Sequence, residues 1–513
     1  MRIKRTISII LSVIILSDFT TAREVAHDDL LTGVEQTESL QSDRNGHAES
    51  DALIKSVKTA EHHFQSGQFD LAREQFEDSI KQARKSGNAQ LLASSLINLG
   101  NVNSALENYD SAQSNYLESA KIAEQASYHA LAVRAYANAA RVERLRGINK
   151  NAGDLLQSAG RHLHSLTETP EKVELQLGLG RLLLKQQGEK SDSQTAYQLL
   201  DDAAKTAEKL ALKDLQAYAY GYLGALYLDN NRLQEALTLT NRAEFLAQSI
   251  DRPDILFRWQ WQNGRILAKQ GAKDAALSAY RRAVATLQPI RSAQRAQRAA
   301  LAATDNVDDL FIEWADLLLQ KGNLTELDLL EIRNIVEQGK IAELENYYHD
   351  DCVAAWLNKA SKIDQLAART AALYPILFPD RLELLLSLPK GLQRYTVRQN
   401  REEVRQLVDR LRVTLENRAT PEFLPYAEAL YHVLIEPVLA DLTQHRIDTL
   451  VFVPDASFRT IPLAALHDGN DFLIRRFAVA TSPGLTLTDP KPIQPENSRA
   501  LLAGLSENSQ GFQ

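Results

Sequence analysis

Small residues recur with a long, regular period along the first 290 residues of the chain. They stand at Ala60, Gly100, Ala140, Gly180, Gly224 and Gly264, at intervals of 40, 40, 40, 44 and 40. A second series, Ala72, Ala112, Ala152, Ala196, Ala236 and Ala276, follows at a distance of 12, except in the fourth unit, where it follows at 16. The four additional residues fall between Gln186 and Gln194, which predicts a loop there. One turn after the second small residue comes a bulky one, Phe76, Tyr116, Leu156, Leu200 or Tyr280. Ala159, Ala203, Ala243 and Ala283 sit three residues beyond that position, on the same helical face. The pattern predicts two antiparallel helices per unit, with small residues where they approach most closely. Gly67, Gly147 and Gly271 mark the turns, with Phe69 and Leu233 as apolar residues just after a turn. A generic alanine-rich bundle gives no reason for a 40-residue register held through six units.

These small, aromatic and alanine positions resemble the tetratricopeptide repeat (TPR) over roughly residues 53–290, with a period longer than the usual ~34 residues. Six additional residues per unit lengthen the helices by about 9 Å in total. A helix pair of this kind cannot bury its own faces, so neighbours stack into a superhelix whose first helices line the concave side. Asn98, Asn101, Asn138 and Arg141 recur at matching phase on first helices, and Arg144 and Arg265 add positive charge. Side-chain amides and guanidinium groups hold the backbone or terminal carboxylate of an extended ligand. These six residues are the expected partner-binding positions, and a protein or peptide in the groove is the expected partner. A solvated polar groove would carry the same residues.

Beyond Pro289, a basic helix from Arg291 to about Thr304 and a segment from Val307 to Lys321 containing Trp314, Ala315 and Gly322 are expected to cap the stack as a degenerate seventh unit. Asn323–Asp351 then reads as a long amphipathic helix. His349 and Cys352 lie three apart on one helical face. A catalytic thiol would need its base to approach from another element, so a buried structural cysteine is the expectation and no metal site is assigned.

From Ala372 the pattern changes. Leu373–Phe378 and Arg381–Leu388 read as a tight hairpin, with Gln393–Val397 extended after it. Helices are expected over Asn400–Asn417 and from Phe423 through Ala440. Thr449–Asp455 is an uninterrupted apolar run bounded by Pro454 and Asp455, the mark of a strand inside a parallel sheet covered on both faces. Further strands are expected over Phe472–Ala480 and Ala500–Leu505. The run Val451–Asp455, Arg459, Ile461–Gly469, Phe472–Ile474 and Ser482–Pro483 resembles the opening of a CHAT domain, a family placed with caspases and separase among cysteine peptidases. The fold expected is therefore an α-solenoid of TPR-like helix pairs followed by an incomplete α/β caspase-like domain. The expected divisions are a signal peptide at 1–22, a flexible leader at 23–51, the solenoid at 52–290, capping and connector helices at 291–370 and the CHAT portion at 371–513.

The resemblance implies a catalytic His and Cys in a His-Gly-type and an Ala-Cys-type motif, both C-terminal to the matched segments. Neither motif is present, so no catalytic residue is assigned and the 513-residue polypeptide is expected to be a fragment without peptidase activity. His467 lies where the family's catalytic His is not found and is expected to be structural. Two readings follow: a sensor and half of a regulated cysteine endopeptidase, or a non-enzymatic TPR adaptor with a degenerate caspase-like module.

Composition narrows the setting. With 58 basic and 66 acidic residues, a net charge of −8 and no long basic block, nothing follows a phosphate backbone, and nucleic acid is excluded as an expected partner. Arg2, Lys4 and Arg5 precede the apolar run Ile7–Leu16, and Thr20-Thr21-Ala22 forms a cleavage site, the pattern of a bacterial secretory signal. The apolar run is too short to span a bilayer, which needs ~20 residues. An exported protein, periplasmic or extracellular and without stable membrane insertion once the signal is cleaved, is the expectation. Cys352 is the sole cysteine, so stability rests on packing with no disulfide and no expected cofactor.

Overall fold

The computed structural model describes residues 47–184, 190–292, 307–348, 369–416, 420–455 and 457–487. The expected signal peptide, the leader up to residue 46, most of the helix from Arg291 to Thr304, His349, Cys352 and the strand Ala500–Leu505 lie outside these residues. The chain forms two compact units, divided between His349 and Asp350.

The first unit is a succession of helix pairs: α1 (His47–Gln65) with α2 (Phe69–Ser86), α3 (Ala89–Ala105) with α4 (Tyr109–Gln125), α5 (His129–Leu145) with α6 (Asn149–His164), α7 (Pro170–Leu184) with α8 (Lys190–Lys209), α9 (Lys213–Asp229) with α10 (Leu233–Ser249), and α11 (Pro253–Lys269) with α12 (Lys273–Ser292). The expected small-residue contacts are present in space. A Cβ on Gly100 would lie 2.5 Å from the Tyr116 ring, one on Gly180 2.7 Å from Leu200 and one on Gly264 2.9 Å from Tyr280. Only a glycine lets the second helix's bulky residue seat on the first helix's backbone at these positions. In the fifth pair the bulky position holds Thr240, whose hydroxyl would meet a Cβ on Gly224 at 2.4 Å.

Most of the described turns in this unit close a helix end on a left-handed residue. Gly147 (φ 77°) donates its N–H to Arg144 and Ile148 donates to Glu143, the two bonds of a Schellman motif. Glycine fills only some of these sites. Glu107, Ser127, Ala211, Asn231 and Asp251 adopt φ between 52° and 59° in equivalent turns, held there by the same bond pairs. Lys190–Gln194, within the stretch expected as a loop, instead begins α8. Likewise α1 begins inside the segment expected as leader.

The seventh unit is a complete helix pair, α13 (Val307–Leu319) and α14 (Glu326–Tyr348). Trp314 and Ala315 are buried as expected, and the close approach falls at Gly339, where a Cβ would lie 3.2 Å from Phe311.

The second unit opens with β1 (Thr370–Leu377), β2 (Leu382–Leu388) and β3 (Gly391–Val397), followed by α15 (Arg401–Glu416), α16 (Leu424–Leu434), α17 (Leu439–Gln444), β4 (Thr449–Phe452), α18 (Leu473–Arg476) and β5 (Ala478–Thr481). The five strands form one sheet in the order β3-β2-β1-β4-β5, with β1–β2 and β2–β3 antiparallel and β4 parallel to both β1 and β5. Leu373, Leu384, Leu386, Leu450 and Phe452 form its core with Val404, Val408 and Leu411 of α15 and Leu430 and Leu434 of α16.

Three expectations change. The helix expected to run from Phe423 through Ala440 breaks into α16, a 3-10 turn at Glu436–Val438 and α17, because Pro437 has no N–H to donate. The strand expected over Phe472–Ala480 is a short helix followed by only β5. The run expected to be buried on both faces alternates in β4, where Leu450 and Phe452 are buried and Thr449 and Val451 half-buried.

Candidate functional site

First helices of consecutive pairs touch one another directly, while second helices make no comparable contact with each other. The first helices therefore form a continuous row. One phase of the 40-residue repeat runs along it: Lys58 and Glu61, then Ser94, Asn98 and Asn101, then Arg134, Asn138 and Arg141, then Glu174 and Arg181, then Tyr218 and Tyr222, and finally Arg258, Gln262 and Arg265. The row changes chemistry along its length, from a Lys–Glu pair to amides, then to guanidinium groups with Glu174 among them, then to aromatic rings and back to guanidinium groups.

Five of the six sequence-predicted residues sit in the first three helix pairs, and Arg265 is separate. Asn98 is buried and donates to Glu61 in the preceding pair at 3.4 Å. Burial pushes the Glu61 carboxyl up from 4.5 to about 7 against that hydrogen bond and the charge of Lys58. Asn101 accepts from the Tyr116 hydroxyl at 2.7 Å. Burial pushes that phenol up to about 12, with the Arg141 guanidinium beside it pulling the other way. Asn138 is fully buried in α5 and Arg141 nearly so. Arg144 donates to the Leu182 carbonyl in the next first helix at 3.1 Å.

Arg265 binds differently. It forks onto Glu313 of α13 with Nε and Nη2 at 2.8 and 2.7 Å and lies 4.1 Å from the centre of the Trp261 ring. Glu313 also accepts from Trp261 Nε1 at 2.7 Å and Tyr280 at 3.1 Å. Arg265 thus joins the sixth pair to the seventh, a role that the repeat pattern did not signal because Glu313 lies beyond it.

The row contains further residues that the sequence reading did not single out. Arg181 occupies the phase of Asn101 and Arg141 one unit on, Arg134 occupies that of Ser94, and Arg134 reaches Glu171 at 3.3 Å. Tyr218, Tyr222 and Trp259 form an aromatic cluster, both tyrosines edge-on to the indole, with ring centres 5.7 to 6.1 Å apart, and the Arg181 guanidinium lies 6.0 Å from the Tyr222 ring. A Cβ on Gly221 would meet the Trp259 ring at 2.3 Å, so bare backbone seats this indole. The clue in the sequence was the paired spacing of Tyr218 and Tyr222 on one helical face.

In the second unit, His467 Nδ1 accepts from the Gly469 N–H at 3.0 Å, and Phe472 meets its ring edge-on at 5.0 Å. Asp468 closes the same turn by accepting from the Asn470 and Asp471 N–H groups, both at 2.8 Å. Among the described residues, no group of His, Cys, Asp or Glu is placed to hold a metal ion, and no helix is long and apolar enough to cross a membrane.

Known families match both units. Residues 54–125 match the tetratricopeptide repeat and residues 424–512 the CHAT domain. The chain therefore carries a TPR region followed by a CHAT segment, and the CHAT match begins at α16. No curated protein matches the chain. Solved structures with a related arrangement of helices include BtubC (BKLC) from P. vanneervenii, 16% identical, covering 47% of this chain and 94% of that one at a TM-score of 0.38. The nearly identical TPR-like repeats of a Podosopora anserina putative kinesin light chain are 18% identical, covering 40% and 99% at a TM-score of 0.32. A Rap protein complexed with Competence and Sporulation Factor is 14% identical, covering 66% and 98% at 0.35.

Proposed function

We propose that the first-helix row is a groove that binds an extended segment of a protein, and that the CHAT segment is the module to which this recognition is coupled. The observation that carries the reading is the register. Side chains able to bond a peptide backbone or carboxylate repeat at one phase through successive first helices, and their bonds to neighbouring pairs hold them in fixed rotamers before any ligand arrives. Asn98, Asn101, Asn138, Arg141 and Arg144 are the partner-binding residues of the first half. Arg265, held by Glu313, sets the far end.

The polypeptide acts here by binding, without peptidase chemistry of its own. Cys352 is its only thiol, and His467 of the second unit accepts from the Gly469 N–H within a turn. Export follows from the charged start and the Ile7–Leu16 run. N-terminal sequencing of the mature protein is expected to begin at or near Arg23, and a retained Met1 on membrane-bound protein would refute export.

Combined replacement of Asn98, Asn138 and Arg141 by alanine is expected to abolish co-purification of the bound protein while far-UV circular dichroism keeps its helical signal. Unchanged co-purification would place the binding surface elsewhere.

A further inference from the structure

We infer that Glu124, His129, Tyr136 and His162 form an acid-sensitive clasp between the second and third helix pairs. The clasp stays closed while its two imidazoles carry at most one extra proton between them and opens when both are charged.

The setting is the gap between consecutive second helices, which side-chain bridges span. Arg84 of α2 pairs with Glu118 of α4, Arg242 of α10 with Glu208 of α8, Arg282 of α12 with Glu244 of α10, and Arg281 of α12 with Glu331 of α14. In each of these bridges the cation is an arginine, whose charge does not change across the physiological range. Between α4 and α6 a histidine takes that place: His162 Nε2 lies 2.9 Å from Glu124 Oε1. Imidazole changes charge between about pH 5 and 8, so this bridge can respond where the others cannot.

The other nitrogen of His162 makes the response a break. Its Nδ1 lies 3.1 Å from His129 Nδ1, and the ring centres are 5.4 Å apart, so the two nitrogens point at each other. A contact of this kind has room for one hydrogen. His162 donates Nε2–H to Glu124, which leaves its Nδ1 bare to accept the Nδ1–H of His129. A first added proton goes to His129 Nε2, or is shared through the contact, and leaves both bonds standing. A second proton can only go to the remaining Nδ1, where it sets hydrogen against hydrogen and two cations against each other.

The surroundings hold the rest of the cluster fixed while this happens. Glu124 also accepts from the Tyr136 hydroxyl at 2.8 Å, and the Tyr136 ring stacks on His162 with centres 6.0 Å apart. Burial raises the Glu124 carboxyl, but the bonds from His162 and Tyr136 and the charges of His162 and Arg161 outweigh it and hold the carboxyl below its ordinary value. Burial and the bond to Glu124 push the Tyr136 phenol up to about 12, so it remains a donor throughout. Arg161 of α6 adds positive charge beside the pair. On α7, Glu171 is engaged by Arg134 and Lys172 by the Leu166 carbonyl, and α3 carries no titratable side chain. The joint separates Asn98 and Asn101 from Asn138 and Arg141, so on the proposed reading of the groove an open clasp relaxes the spacing at which a partner is held.

Hydrogen exchange of the full chain, followed by mass spectrometry and corrected for the intrinsic pH dependence of amide exchange, tests the clasp. The parent is compared at pH 6 and pH 4.5 with His129→Phe, which keeps the ring and removes the facing nitrogen, and with His129→Gln, whose amide can face either form of His162. Exchange at the ends of α8 and α10, joined by an arginine bridge, gives the reference for general loosening in acid. In the parent, exchange at the ends of α4 and α6 is expected to be at least fivefold faster at pH 4.5 than at pH 6, relative to that reference. In both variants the change is expected to stay below twofold, because His162 then becomes an imidazolium that faces only Glu124. No acceleration in the parent overturns the inference. Equal acceleration in parent and variants overturns it too, since the loosening would then not come from two facing charges. No partner takes part in this measurement, so its outcome bears on the clasp whether or not the groove binds one.

Discussion

At the scale of single residues, the packing of the solenoid and its pH response have separate causes. The packing was open to sequence reading because a missing Cβ at Gly100 or Gly264 and a large ring 16 residues later are two halves of one contact. The electrostatics were not, since Glu61 looks like any helix-surface acid until Asn98 and the second pair cover it. Its folded carboxyl titrates near 7 and its unfolded one near 4.5. Between these values the folded state binds more protons than the unfolded state, so stability falls as pH rises through that window and levels off above it. At pH 8 the cost is of order 3 kcal/mol at most. Glu61→Gln is expected to match the parent at pH 4 and to raise the midpoint of the earliest thermal transition by a few degrees at pH 8. A difference independent of pH would show that Glu61 ionises normally in the fold.

At the scale of elements, turns and the seventh pair decide how far a repeat can be followed. Gly67, Gly147 and Gly271 announced their turns, but Glu107, Ala211 and Asn231 take the same left-handed conformation without glycine. There the stacking of helix pairs overrides local preference, at a cost of about 1 kcal/mol per residue. The pair α13–α14 was legible as helical but not as a full unit, because its contact runs from Gly339 back to Phe311, outside the established spacing. Its attachment depends on Glu313, which gathers Arg265, Trp261 and Tyr280. Removing the carboxylate leaves a guanidinium, an indole N–H and a phenol without this acceptor. Glu313→Ala is expected to cost about 2–4 kcal/mol and to raise hydrogen exchange in α13 and α14 well above that in α3 and α5. Uniform exchange across all pairs would show that Glu313 is not what anchors the end of the stack. In the sheet, strand hydrophobicity located β1, β2 and β4, while the break at Pro437 and the helix ahead of β5 depend on backbone donors and packing that an apolar run does not reveal.

At the scale of the whole molecule, the chain joins a row of preorganised polar and aromatic side chains to a CHAT segment. On the proposed reading, the surface that binds is the first-helix face. Second helices offer a control: Phe245 on α10 is 69% exposed, with a ring close in size to those of the groove tyrosines. If exposed apolar area alone attracted partners, Phe245 would be the better anchor. If register and prepositioned donors matter, Tyr222 is. Site-specific photo-crosslinking in the cell of origin decides between them, with a benzophenone amino acid placed at Tyr222 in one chain and at Phe245 in another. The account predicts a discrete protein adduct, inter- or intramolecular, from position 222 and none from 245; adducts from 245 with none from 222 would contradict it.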